Sequence, residues 1–172
     1  MRRSLFAASL LTLGLALAAK PAAAQVFIGA GITSPSSDFG DGYKTGWIVN
    51  AGFRPWMSEN KRASVWLEGI YGANKAKGGV DATADVYGAF GSVTYSLTAD
   101  AAANPYVIGS VGYMKSKVKV GGTSYTGDGA LGFGGGLGLT FSKKFYVEGR
   151  YLTASKNGGT TAFLMLTAGV VL

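Results

Sequence analysis

From Gln25 onward, apolar residues alternate with small or polar ones in segments of about ten, and clusters of Gly, Asn, Asp, Ser and Lys separate the segments. No helical period runs through this part of the chain. A period of two belongs to strands whose two faces meet different surroundings. Eight strands are read on this pattern, over 25–34, 43–55, 62–74, 83–97, 104–116, 129–141, 144–155 and 160–172. An even number of antiparallel strands joined in chain order closes into an up-and-down barrel, so the expected class is all-β.

The alternation assigns each residue to a face. In the sixth strand Leu131, Phe133, Leu137, Leu139 and Phe141 share one face with Gly135, and Gly132, Gly134, Gly136 and Gly138 make up most of the other. In the last strand Leu164, Leu166, Ala168, Val170 and Leu172 oppose Phe163, Met165, Thr167 and Gly169. Trp47, Val49, Ala51 and Phe53 form the apolar face of the second strand; Val65, Leu67, Gly69 and Tyr71 form that of the third.

Which face points outward separates a membrane barrel from a soluble one. A water-facing surface carries many Lys and Glu, yet the second face here is mostly Gly, Ser, Thr, Ala and Asn with a few charges. Small residues suit the crowded interior of eight strands, and the uniform apolar face suits lipid. Aromatics agree with that assignment. Trp47, Tyr71, Tyr87, Tyr113 and Tyr151 fall near one end of the apolar face, and Phe53, Tyr95, Phe141 and Phe145 near the other, as two interfacial girdles. A periplasmic amino terminus then puts Ser34 to Thr45, Lys75 to Asp81, Lys117 to Asp128 and Lys156 to Thr160 outside. It puts Met57 to Lys61, Ala99 to Asn104 and the turn Ser142-Lys143-Lys144 inside.

The first 24 residues have a different pattern. Met1-Arg2-Arg3, an apolar run from Leu5 to Ala19, and Lys20-Pro21-Ala22-Ala23-Ala24 follow the three-part plan of a secretory signal, with cleavage expected after Ala24. The apolar run is shorter than the roughly 20 residues a membrane-spanning helix needs. The expected organisation is a signal peptide, 1–24, and one barrel domain, 25–172.

Composition narrows the chemistry. Cysteine is absent, which excludes disulfides and a lipidated cysteine. The formal charge is +7; removing Arg2, Arg3 and Lys20 with the signal leaves +4, too little to indicate nucleic acid, and the exported destination argues further against it. Histidine is also absent, so Ser-His and Cys-His catalysis is excluded, and no motif supports a Ser-Lys pair. No enzymatic activity and no cofactor is expected. Gly127-Asp128-Gly129-Ala130-Leu131-Gly132 spells a dinucleotide fingerprint, but that motif has meaning only between a strand and a helix, and here it reads as glycines entering a strand. A metal site would need clustered carboxylates; Asp38 and Asp41 in the first outer loop are the one close pair, and no metal is assigned.

Two sets of charges stand out. Glu68, Glu148 and Arg150 sit mid-strand on the inward face, where an unpaired charge is costly, and are expected to form a structural ion pair. A gated ion path is the alternative, but Trp66, Ile70, Phe90, Tyr146, Phe163 and Met165 on the same face would plug it. Lys44, Lys75, Lys77, Lys115, Lys117, Lys119 and Lys156 gather at the outer ends and outnumber Asp38, Asp41, Asp81 and Asp128 there. They either contact lipopolysaccharide phosphates or are simply solvated; a cation at an anionic surface gains about 1 kcal/mol.

The signal, the eight alternating strands, the run Tyr106-Val107-Ile108-Gly109-Ser110-Val111-Gly112-Tyr113 and the amphipathic last strand together resemble the small outer-membrane β-barrel proteins related to OmpA and OmpX. The resemblance covers the whole chain after the signal. It implies an eight-stranded transmembrane barrel in the outer membrane, inserted by the barrel-assembly machinery. Two features depart from that family: no peptidoglycan-binding segment follows the last strand, and the chain ends in Leu172 instead of an aromatic. The expected role is non-enzymatic and structural or surface-interacting: envelope integrity, adhesion or lipopolysaccharide contact. A monomer is expected. A narrow porin-like channel and a soluble periplasmic ligand-binding barrel remain as alternatives.

Overall fold

A computed structural model describes residues 25–99, 101–156 and 158–172; the signal assigned to 1–24 lies outside the described residues. The elements are β1 (Gln25–Ser36), α1 (Ser37–Gly42), β2 (Gly46–Met57), β3 (Ala63–Lys75), β4 (Ala82–Ser96), β5 (Ala103–Val120), β6 (Thr123–Thr126), β7 (Ala130–Phe141), β8 (Phe145–Lys156) and β9 (Gly159–Val171). Eight of the nine strands form a closed antiparallel ring in chain order. It closes through β1 with β9 and passes from β5 directly to β7.

The register fixes the shape. Partners lead from Val26 through Phe53, Leu67, Gly91, Val111, Phe133, Thr153 and Ala162 to Ser36, so one circuit returns to β1 ten residues further along. With a rise of about 3.3 Å per residue and strands about 4.8 Å apart, that stagger tilts the strands by about 40°. This is the tilt of outer-membrane barrels.

Side chains divide as the alternation requires. Ile28 (55% exposed), Phe133 (53%) and Leu137 (66%) point outward, while Phe163 (1%) and Met165 (0%) from the opposite parity fill the interior. Such an exposed apolar wall is unfavourable in water and favourable in lipid. The girdles form as well. Trp47 packs against Tyr71 with tilted rings 5.5 Å apart between centroids, Tyr71 is paired in register with Tyr87, and Phe141 is paired with Phe145 at the other end. Tyr87 and Tyr95 are eight residues apart on β4, about 20 Å along the barrel axis at this rise and tilt. An apolar band is about 25 Å tall.

Three connections differ from the sequence reading. The segment read as the loop Lys117 to Asp128 is largely strand: β5 continues to Val120, pairs with β4 throughout, and turns back as β6. Lys117 and Lys119 therefore sit on a wall, not in a loop. The turn is at Gly121 and Gly122, both with positive φ, a conformation open to glycine. Second, the first outer loop contains the six-residue α1, one turn being too short to produce a helical period in sequence. Third, β8 and β9 pair out to Lys156 and Gly159, residues read as part of a loop. At the opposite end Arg54-Pro55 causes a register shift between Phe53 and Trp56, since proline donates no ladder hydrogen bond.

Gln25 and Leu172 lie at the end that carries the three-residue turn Ser142–Lys144, whose Ser142 and Lys143 have positive φ. The long connections, which carry α1 and the β6 hairpin, lie at the opposite end, and longer connections mark the outer side. An epitope tag inserted between Gly121 and Gly122 is therefore expected to bind antibody on intact cells, and one at Lys143 only after permeabilisation; the reverse labelling would invert the topology.

Candidate functional site

The lumen has three layers. Mid-barrel, the alternation brings three charged residues to one level from opposite walls: Glu68 on β3 and Arg150 on β8, four strands apart in the ring, with Glu148 beside Arg150. All three are buried. Arg150 holds Glu68 in a two-pronged pair, Nη1 on Oε1 and Nη2 on Oε2, the latter at 2.9 Å. Nη2 is also 3.0 Å from Glu148 Oε1, close enough for charge attraction but not aligned as a hydrogen bond. Ser92 donates to Glu68 Oε1 (3.0 Å), Arg150 Nη1 donates to Ser110 (3.0 Å), and Tyr106 donates to Glu148 Oε2 (2.9 Å).

The sequence reading named the three charges but not Ser92, Ser110 or Tyr106. Their inward parity was legible; their level on the barrel wall depended on the register. Every second position of β7 facing this cluster is glycine. A Cβ at Gly136 would lie 2.1 Å from the Gly149 carbonyl oxygen, and one at Gly138 2.2 Å from the Tyr106 ring. The bare face of β7 lets the β8 backbone approach at Gly136 and leaves the space over Gly138 to the Tyr106 ring.

Toward the outer end the interior turns apolar. Ile48, Ile70, Phe90, Leu152, Phe163 and Met165 pack into one buried cluster, and Phe39 of α1 covers it from above. Phe39 stacks on Tyr43 at 4.8 Å, and burial raises the Tyr43 hydroxyl above its ordinary pKa. α1 is tied down by Lys77, which donates to the Gly40 carbonyl, and by Asp38, which accepts the Thr160 N–H at 3.0 Å. Ile70, Phe90, Phe163 and Met165 thus occupy the plug expected of them. Trp66 and Tyr146 do not. They line a cavity of about 320 Å³ between the ion cluster and the periplasmic end. They lie below the cluster because each sits two residues nearer the periplasmic end than Glu68 and Glu148 respectively.

At the outer rim the lysines have different partners. Lys119 pairs with Asp85 at 2.6 Å and Lys156 with Asp128 at 3.4 Å; Lys115 lies 6.0 Å from the Tyr113 ring centre. Lys44, Lys75 and Lys117 have no side-chain ion pair among the described residues. Lys115, Lys117 and Lys119 alternate along β5 and so share its outward face, directly above the girdle residue Tyr113; Lys75 joins their level through Thr83, which pairs with both Lys75 and Lys119. Asp38 and Asp41 bring no third carboxylate, and no group of three or more metal-ligating side chains exists among the described residues. Gly127 to Gly132 runs through a connection into β7, with no helix following.

A closed, tilted, eight-stranded barrel with a lipid-facing apolar band, two aromatic girdles and a lumen plugged in its outer part defines an integral outer-membrane protein of the small-barrel class. The sequence matches the family described as "Outer membrane protein beta-barrel domain" over residues 6–172, and the chain belongs to it. No curated protein matches in sequence. Solved structures share the fold at low identity. Neisserial surface protein A is 18% identical with a TM-score of 0.60, over 86% of this chain and 95% of its own. Ail, the attachment invasion locus protein of Yersinia pestis, is 18% identical with a TM-score of 0.57, over 87% and 99%. The outer membrane enzyme PagL is 15% identical with a TM-score of 0.55, over 86% and 99%. The protein resides in the bacterial outer membrane, which removes the soluble periplasmic alternative.

Proposed function

We propose that this barrel is a monomeric, non-enzymatic and non-conducting envelope protein whose lysine-bearing wall contacts the phosphates of lipopolysaccharide. The observation that carries the reading is the outward stripe of Lys75, Lys115, Lys117 and Lys119 on β3 and β5, at headgroup level above the girdle. Strand-borne ammonium groups lose less freedom on binding than loop-borne ones, and the stripe contains one carboxylate, Asp85, already shared with Lys119. Ail also crystallises with the heparin analogue sucrose octasulfate, which shows a polyanion held by a barrel of this fold.

Other observations support the negative parts. A conduction path would have to cross the buried layer of Phe90, Leu152, Phe163 and Met165. PagL is an enzyme of the same fold, but here the chain has no histidine, and the buried Ser92 hydroxyl donates to a carboxylate already held by arginine. Insertion by the barrel-assembly machinery, reading the terminal strand β9, belongs to the same proposal.

The test compares the barrel refolded in vesicles with and without lipid A. Lipid A is expected to raise the Tm of the wild type, and Lys75→Gln with Lys117→Gln is expected to remove at least half of that rise. An undiminished rise in the double variant refutes the phosphate contact, and stepwise single-channel currents in planar bilayers refute the closed lumen.

A further inference from the structure

The cavity of about 320 Å³ below the ion cluster is blind: it opens at the periplasmic end and stops at Glu68, Glu148 and Arg150. Four aromatic side chains wall it from alternate positions of the ring: Phe27 on β1, Trp66 on β3, Tyr106 on β5 and Tyr146 on β8. Phe27 meets Trp66 and Tyr146 edge to face, at 5.2 and 5.9 Å, which fixes three of the four rings relative to one another. Arg54, Lys61 and Lys143 line the mouth. Among the described residues the carboxylates that line the cavity are Glu68 and Glu148, both engaged with Arg150 at its floor.

A half-open space with aromatic rings set among amide and hydroxyl side chains such as Asn50, Ser64 and Thr94, and with Arg54 on its wall, suits one kind of ligand. We propose that this vestibule is a binding site for a small, flat organic anion of one or two rings, taken up from the periplasm. Its volume falls at the lower end of the roughly 300–1,000 Å³ typical of ligand pockets, which suits such a molecule and no larger one. The ring system lies among Phe27, Trp66 and Tyr146, and the anionic group meets Arg54. That guanidinium already lies over Trp66, 5.1 Å from the ring centre, and donates to the Gln25 side chain. It carries five N–H donors, so several remain for a carboxylate or sulfonate. The site is separate from the lysine stripe, at the opposite end of the barrel.

Naphthalene-2-sulfonate serves as the probe, titrated calorimetrically into the wild-type barrel in lipid nanodiscs with empty discs subtracted. Saturable one-to-one binding is expected. Inorganic sulfate, which lacks the rings, and 2-naphthol, which lacks the charge at neutral pH, should each bind at least about tenfold more weakly. Arg54→Gln should lose about tenfold in affinity, and Lys75→Gln with Lys117→Gln should lose none. In the spectrum of the wild-type protein the indole N–H of Trp66 should shift on titration, while those of the outward Trp47 and Trp56 stay in place. Absence of saturable binding above empty discs, equal affinity for 2-naphthol, unchanged affinity in a folded Arg54→Gln, or a response at Trp47 and Trp56 instead of Trp66 would each overturn the assignment.

Discussion

Arg150→Ala is expected to lower the unfolding free energy of the barrel in lipid vesicles by about 3 kcal/mol, the cost of breaking a buried ion pair by removing one partner. The substitution leaves Glu68 and Glu148 buried without their cation, with Ser92 and Tyr106 as their remaining side-chain donors. Arginine suits the position because its planar fork spans from β8 to both oxygens of a carboxylate on the opposite wall, which a lysine point charge does not do. Glu68→Met combined with Arg150→Met should cost clearly less than the sum of the two single changes, since an apolar replacement of both partners leaves no orphan charge. Strict additivity would show that the two residues do not interact. A stabilised Arg150→Ala would carry a heavier consequence. Removing a basic residue from the lipid face near the midplane gains roughly 2–4 kcal/mol, so that sign would turn the barrel inside out.

The second large effect concerns the bare strand β7. Gly136→Ala should cost about 3 kcal/mol, at the upper end for overpacking, because its Cβ would stand 2.1 Å from the Gly149 carbonyl oxygen and 2.7 Å from the Arg150 Cα. Both are backbone atoms of the neighbouring strand, so relief requires β7 and β8 to move apart. Gly109 on β5 is the control: it points outward, and a Cβ there meets nothing within 4 Å. Gly109→Ala is expected to be neutral or slightly stabilising, since alanine loses less chain entropy than glycine on entering a strand. Urea titrations of both variants in vesicles measure the difference. Equal stabilities would mean that Gly136 is not what lets β7 and β8 approach this closely.

How much of this was legible beforehand follows from what a period of two contains. Alternation specifies the face of a residue but not its height, and height is set by register. Glu68 and Arg150 were assignable to one lumen from parity alone, and so were the plug residues Phe90 and Met165. Trp66 and Tyr146 had the same parity and a different fate, because each lies two residues nearer the periplasmic end than Glu68 or Glu148 on its own strand, where the lumen opens into a cavity. Lys117 and Lys119 were misread as loop for a related reason. A strand that leaves the membrane loses its apolar face, and Lys115 to Lys119 reads as polar although it pairs with β4 to its end.

The sequence by itself determined the class: eight amphipathic strands, a lipid-facing side, two aromatic girdles and a lumen carrying a few charges, because each of these is written in local alternation and in residue type. The tertiary structure alone decided which inward residues share a level, and therefore that Ser92, Ser110 and Tyr106 complete the ion cluster, that Phe39 closes the outer end, and that a blind aromatic cavity opens toward the periplasm. These are contacts between strands far apart in the chain, and their geometry depends on the closed, tilted ring.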